Sequence, residues 1–278
     1  MDHKHEMSAL SEKDFAAEAP KILWAERDVC REDESDKMSL VRVRATESST
    51  VEAISSILTS PIEEEDFDSL RLHQKAFWIL MDLSFDQLQP YRPALTKLAA
   101  FDISNFKSRS GHYAQSSHLI RDVSNLERFA ADPKAVWVSE NKFDEVSYRT
   151  LAERIHTAER MRPYMDALFN WQVDVNHPPF MPCREQIARF PETAAVVAAE
   201  FIVGANASKD EEFQYDMIDF FLECVPVGEA WRPMHEPVQE LVRELEKELK
   251  EGNEDREYVL DKAKEWLAKL DNWEASQA

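Results

Sequence analysis

The stretch WRPMHEPVQELV, residues 231–242, decides how the rest of the chain is read. Two prolines bracket a histidine, and an apolar rhythm follows. Positions 235, 238, 242, 245 and 249 fall on one face of a helix, the spacing of a helix with one buried side. Proline is tolerated only in a helix's first turn, so Pro237 places the start of this helix at or just after His235. His235 then points where the core residues point, at the positive end of the helix dipole, which disfavours imidazolium. A neutral imidazole facing a core is what a metal requires. The commoner fate of a lone histidine on an apolar face is a hydrogen-bonded place in the core.

The same rhythm extends in both directions. It predicts helices over 51–59, 66–88, 94–102, 116–130, 143–170, 185–204, 209–224, 236–250 and 256–273. A short helix is expected on either side of the charged loop at 30–37. In the helix from 66, Leu70, His73, Phe77, Leu80, Met81 and Leu88 share a face, and the acidic run at 63–66 suits its N-terminus. NFKSRSGHYAQSSH (105–118) and the proline-rich NHPPFMPC (176–183) read as connections. Four glycines leave little material for hairpin turns or phosphate-cradling loops. The expected fold class is all-α, with roughly nine to eleven helices. Residues 1–50 read as an N-terminal segment and 51–278 as the helical domain. Phe15, Ile22, Leu23 and Trp24 in that segment either pack on their own chain or reach a neighbouring subunit of a homo-oligomer.

A net charge of −21, from 54 acidic and 33 basic residues, repels phosphate backbones and anionic lipid. Nucleic acid and membrane partners are therefore not expected. No apolar run approaches the length of a membrane span. Cys30, Cys183 and Cys224 form no paired metal or disulfide spacing. With no apolar core to the N-terminal stretch, a cytoplasmic location is expected.

His73 repeats the question posed by His235. It lies in LHQKAFWILMDL (72–83), one turn before Phe77, on the apolar face of a long helix. Two such histidines beside aromatics could frame a flat cofactor, or both could be satisfied core residues.

Three segments together resemble the tryptophan 2,3-dioxygenase family. Trp231, Arg232 and His235 are similar to its W-R-x-x-H segment, LHQKAFWILMDL to its H-Q-x-x-E-L-W-F segment, and FKSRSGHYAQSSH (106–118) to its F-R-x-x-S-G-F-Q-S loop. That loop also partly resembles the S-x-x-Q-S-S loop of indoleamine 2,3-dioxygenases. The three occur in the family's order. The resemblance implies an all-helical haem-binding bundle with haem b, its iron held by His235 beside Trp231 and Arg232. His73 would be the catalytic base over bound oxygen, and Phe77, Ser110, His112, Ser117 and His118 would contact substrate.

Departures from the family shape the expected reaction. The family's Gly-Thr-Gly-Gly closing loop is replaced by ELKEGNEDREYV (248–259), and the position of its substrate-clamping arginine holds His118. In the distal segment the acidic position is lost. The expected activity is therefore a haem-dependent oxygenase inserting one oxygen, from dioxygen or peroxide, into a tyrosine- or tryptophan-derived small aromatic in specialised metabolism. Tryptophan cleavage to N-formylkynurenine is the alternative enzyme. A haem sensor or a helical interaction protein is the alternative outside catalysis.

Overall fold

A computed structural model of the chain describes residues 7–26, 35–63, 66–104, 106, 111–173, 175–176, 178–253 and 255–278. Among the described residues there are helices, turns and no strands, so the chain is all-α. No helix among them is long and apolar enough to cross a membrane. The chain divides into two compact units, Met1–Ala135 and Val136–Ala278. The division falls far from residue 50, because the N-terminal helix is part of the first unit's core rather than a separate arm.

The first unit contains α1 (Glu12–Ala25), α2 (Asp36–Val43), α3 (Ser48–Thr59), α4 (Phe67–Met81), α5 (Phe85–Leu88), α6 (Arg92–Ala99) and α7 (Gly111–Ala131). α1 packs chiefly on α3, and α6 on α7. Phe15 and Leu23 of α1 are fully buried, while Trp24 is 43% exposed. Arg44 stacks its guanidinium 4.1 Å from the centroid of the Phe15 ring and donates to the Leu10 carbonyl, tying the N-terminal helix down.

The second unit contains α8 (Glu145–Arg154), α9 (Ala158–Phe169), α10 (Phe180–Ala188), α11 (Pro191–Ser208), α12 (Glu211–Cys224), α13 (His235–Lys250) and α14 (Glu257–Gln277). α11 is its hub, packing on α9, α12, α13 and the 3-10 turn Glu229–Met234. α14 closes over α12 and α13. Trp231 and Trp266 stack 5.0 Å apart and nearly parallel at the centre of this core.

Four element boundaries differ from the periodic reading, each for a local reason. The helix from 66 stops at Met81, and a new turn begins at Phe85 because Ser84 and Gln87 form a reciprocal capping box. The predicted helix 143–170 is two, α8 and α9, separated by extended backbone at Ile155 and Thr157. Arg189 spans that break, donating to the Ile155 carbonyl and to the Leu151 carbonyl, which also accepts the Ile155 N–H. α10 starts inside NHPPFMPC at Phe180, with Pro182 in its first turn, where proline costs no hydrogen bond. α7 starts at Gly111, so half of the polar stretch at 105–118 is helical.

Candidate functional site

The residues singled out by sequence divide between the units: His73, Phe77, Ser117 and His118 in the first, Trp231, Arg232 and His235 in the second. Ser110 and the His112 side chain lie outside the described residues.

His73 is fully buried on α4. Its Nδ1 lies 2.8 Å from the Ser69 carbonyl, and its Nε2 lies 3.2 Å from both the carbonyl and the hydroxyl of Ser60. Both ring nitrogens are therefore engaged inside the unit. Phe77 is buried in the same core, Ser117 is half-buried and His118 is exposed.

His235 opens α13 and is only half-buried, and the Gln239 amide donates to its Nε2 at 2.9 Å. The apolar face continues through Val238, Leu241 and Leu245, all buried, but the first turn of the helix lies at the edge of the core. Trp231 is fully buried against Trp266. Arg232 points outward, ion-paired to Glu229 and Glu274. A haem ligand needs a free ring nitrogen aimed at a cavity. His73 has both ring nitrogens engaged within its unit, and His235 has its Nε2 engaged by Gln239.

A different cluster is assembled by the second unit. α14 sets Tyr258, Asp261, Lys262 and Glu265 on one face, at spacings of three, four and seven. α12 packs against it and supplies Tyr215 and, one turn on, Asp219. Tyr215, Tyr258, Asp261, Lys262 and Glu265 line an open cleft of about 350 Å³. The two tyrosine rings lie 5.5 Å apart and are tilted by 47°.

Lys262 Nζ sits 5.3 Å from the centre of the Tyr215 ring and 3.0 Å from Asp219 Oδ1. Behind it, Arg184 of α10 reaches Asp219 Oδ2 at 2.6 Å. The same guanidinium donates to the Gln172 side chain at 3.0 Å and lies over the Phe180 ring at 4.5 Å. Asp219 thus takes a buried and a half-buried cation on its two oxygens.

The titration behaviour follows from this arrangement. Burial pushes the Asp219 carboxyl up, but the bonds and charges of Arg184 and Lys262 outweigh it, and its pKa is lowered. Burial pulls Lys262 down, and Asp219 more than restores it, so its pKa is raised. Asp216, beside them on α12, is pushed up to about 6, first by burial and then by Asp219, Glu212 and Asp210, against the pull of Arg184. Tyr258 is raised by burial and by the carboxylates of Glu211 and Glu212. Burial raises Cys183 to about 12 and also raises Cys224, so both thiols stay protonated and unreactive. The cluster can hold a charged group against aromatic surface, and a perturbed carboxylate in such a place marks a candidate site without naming a reaction.

A second open cleft, of about 410 Å³, lies between α9 and α11 around Arg162, Glu192 and Val196. It has no aromatic wall, and Arg162 is tied to Asp166 and Glu200.

Sequence periodicity missed the Tyr215–Tyr258 cluster. The polar face of α14 was legible, but its pairing with α12 depends on two helices whose contact no spacing encodes.

A family model described as a domain of unknown function (DUF5071) matches residues 137–267. Over that stretch the chain is similar to the family. The match begins one residue after the start of the second unit, and it contains every residue of the Tyr215–Tyr258 cleft. No curated protein and no solved structure matches the chain.

Proposed function

We propose that this chain is a helical interaction protein whose second unit carries the recognition surface. The observation that carries this reading is the α12–α14 cleft: an exposed tyrosine ring, Tyr258, against a half-buried one, Tyr215, rimmed by carboxylates and backed by an ion-pair network. Aromatic side chains supply contact area at low entropic cost and are enriched where proteins recognise partners. The charges behind the rings are paired and held by neighbouring bonds, a rigid wall against which a partner can dock.

The oxygenase reading rests on the three sequence segments alone. Of the two histidines on which it depends, His73 has both ring nitrogens engaged, by Ser69 and Ser60, and His235 has one, by Gln239.

A photo-activatable amino acid in place of Tyr258, which is 44% exposed, tests the interaction reading in cells expressing the full chain. The expected result is a discrete adduct at position 258 that is absent when the same amino acid replaces the exposed Glu244 on α13. Equal labelling at the two positions, or none at 258, would sink the reading.

A further inference from the structure

We propose that the α12–α14 cleft receives the guanidinium of an arginine side chain presented by a basic segment of a protein partner. This deepens the interaction reading and rests on it for the claim that the occupant belongs to a protein. Three observations lead to it.

First, a cation already docks there. Lys262 Nζ lies over Tyr215 and on Asp219, showing that the ring and the carboxylate together stabilise positive charge. Second, the outer ring is left for another. Tyr258 is 44% exposed, with Asp261 and Glu265 on the same helix face within two turns and the Glu211 and Glu212 carboxylates close enough to raise its hydroxyl. Third, the size is limiting. About 350 Å³ of open cleft accommodates a single side chain.

Arginine matches this geometry better than lysine. Its planar guanidinium stacks on an aromatic face while its edge donates in-plane to carboxylates; an ammonium is a compact, strongly hydrated point charge. The charge balance agrees. Arg184 and Lys262 are both satisfied by Asp219 and Lys269 by Glu265, so Asp261, Glu211 and Glu212 leave the cleft electronegative.

Calorimetric titration of the full chain with a short glycine–arginine peptide at physiological salt tests the proposal, with the lysine counterpart and spermine as competitors. The arginine peptide should bind more tightly than both. Tyr258→Leu should weaken it about fivefold, the loss expected for an exposed cation–π contact. Asp261→Asn with Glu265→Gln should weaken it more than Glu236→Gln with Glu244→Gln, which removes the same charge from the exposed side of α13. Equal weakening by the two charge pairs would overturn the proposal, leaving only the attraction of an acidic surface. So would unchanged binding by Tyr258→Leu. Spermine binding as tightly as the peptide would assign the cleft to a small polyamine instead. An adduct at position 258 without peptide binding would remove the arginine assignment and leave the interaction reading standing. Peptide binding without an adduct would do the reverse.

Discussion

The two units bury polar side chains in different ways. In the first, His73 and Tyr91 are buried and fastened to backbone. His73 bonds to the Ser69 and Ser60 carbonyls, and the Tyr91 hydroxyl donates to the Ala45 carbonyl at 2.5 Å. In the second, Ser147 and Thr150 are likewise fastened to backbone, but two buried arginines are fastened to other side chains. Arg184 holds Asp219, and Arg256 holds Glu248 and Gln214. A side chain bonded to backbone fixes where two segments meet and has nothing left over. A paired charge fixes packing too, but it also sets the potential at the nearest surface. In the second unit that surface is the tyrosine cleft. On the proposed interaction reading, the first unit is scaffold and the second carries recognition.

Removing a charge from the second unit is the strongest way to test that division. Arg184 is 7% exposed, and breaking one half of a buried ion pair leaves the other charge uncompensated. Asp219 keeps Lys262, which softens the loss. Arg184→Leu should therefore cost about 2–3 kcal/mol in urea unfolding. A cost as small as that of a surface substitution would mean the network is not holding the unit together.

The first unit should respond less. His73→Leu removes the partner of Ser60 and should cost about 1–2 kcal/mol, whereas His235→Ala, at a half-exposed helix start, should change stability by no more than about 0.5 kcal/mol. Reconstitution with haemin decides the competing reading on the same proteins. With both histidines as placed, no Soret band that depends on His235 should appear. A band lost in His235→Ala would break the comparison, because His235 would then hold iron.

How far the sequence could be read follows from the same distinction. The all-α class was legible because apolar spacing is a property of one helix at a time. His73 was correctly placed on a buried face of α4. The line through His235 ends on a half-buried residue, as it does at Val242 and Leu249 on the same stripe, since a stripe gives a direction and not a depth. The capping box at Ser84 and Gln87 was visible as S-x-x-Q, but a longer apolar rhythm overrode it. The break at Ile155 was not visible, because Arg189, which donates to the carbonyls of Leu151 and Ile155, lies more than thirty residues away. The cleft was hidden for the same reason: Tyr215 and Tyr258 come from helices that meet only in three dimensions.

The smallest effect is the sharpest probe of the cleft's electrostatics, because two carboxylates on the same stretch of α12 shift in opposite directions. Asp219 is lowered, so its contribution to stability is present above the unfolded carboxylate pKa of about 3.9 and is lost as pH falls through its folded value. Asp216 is raised to about 6, so the fold binds its proton more tightly than the unfolded chain does. Its effect is therefore a loss of stability as pH rises between about 4 and 6, constant above that window. Asp216→Asn removes the titration and keeps the shape. With the half-exposed position discounted for screening, the variant should be more stable than the parent by about 1 kcal/mol at neutral pH and no more stable at pH about 4. Thermal melts across that range measure the difference directly. A gain independent of pH would come from packing. A loss at neutral pH would mean that the Asp216 charge serves Arg184 as Asp219 does, and the acidic wall of the cleft would then be part of the ion-pair network rather than free to meet a partner's cation.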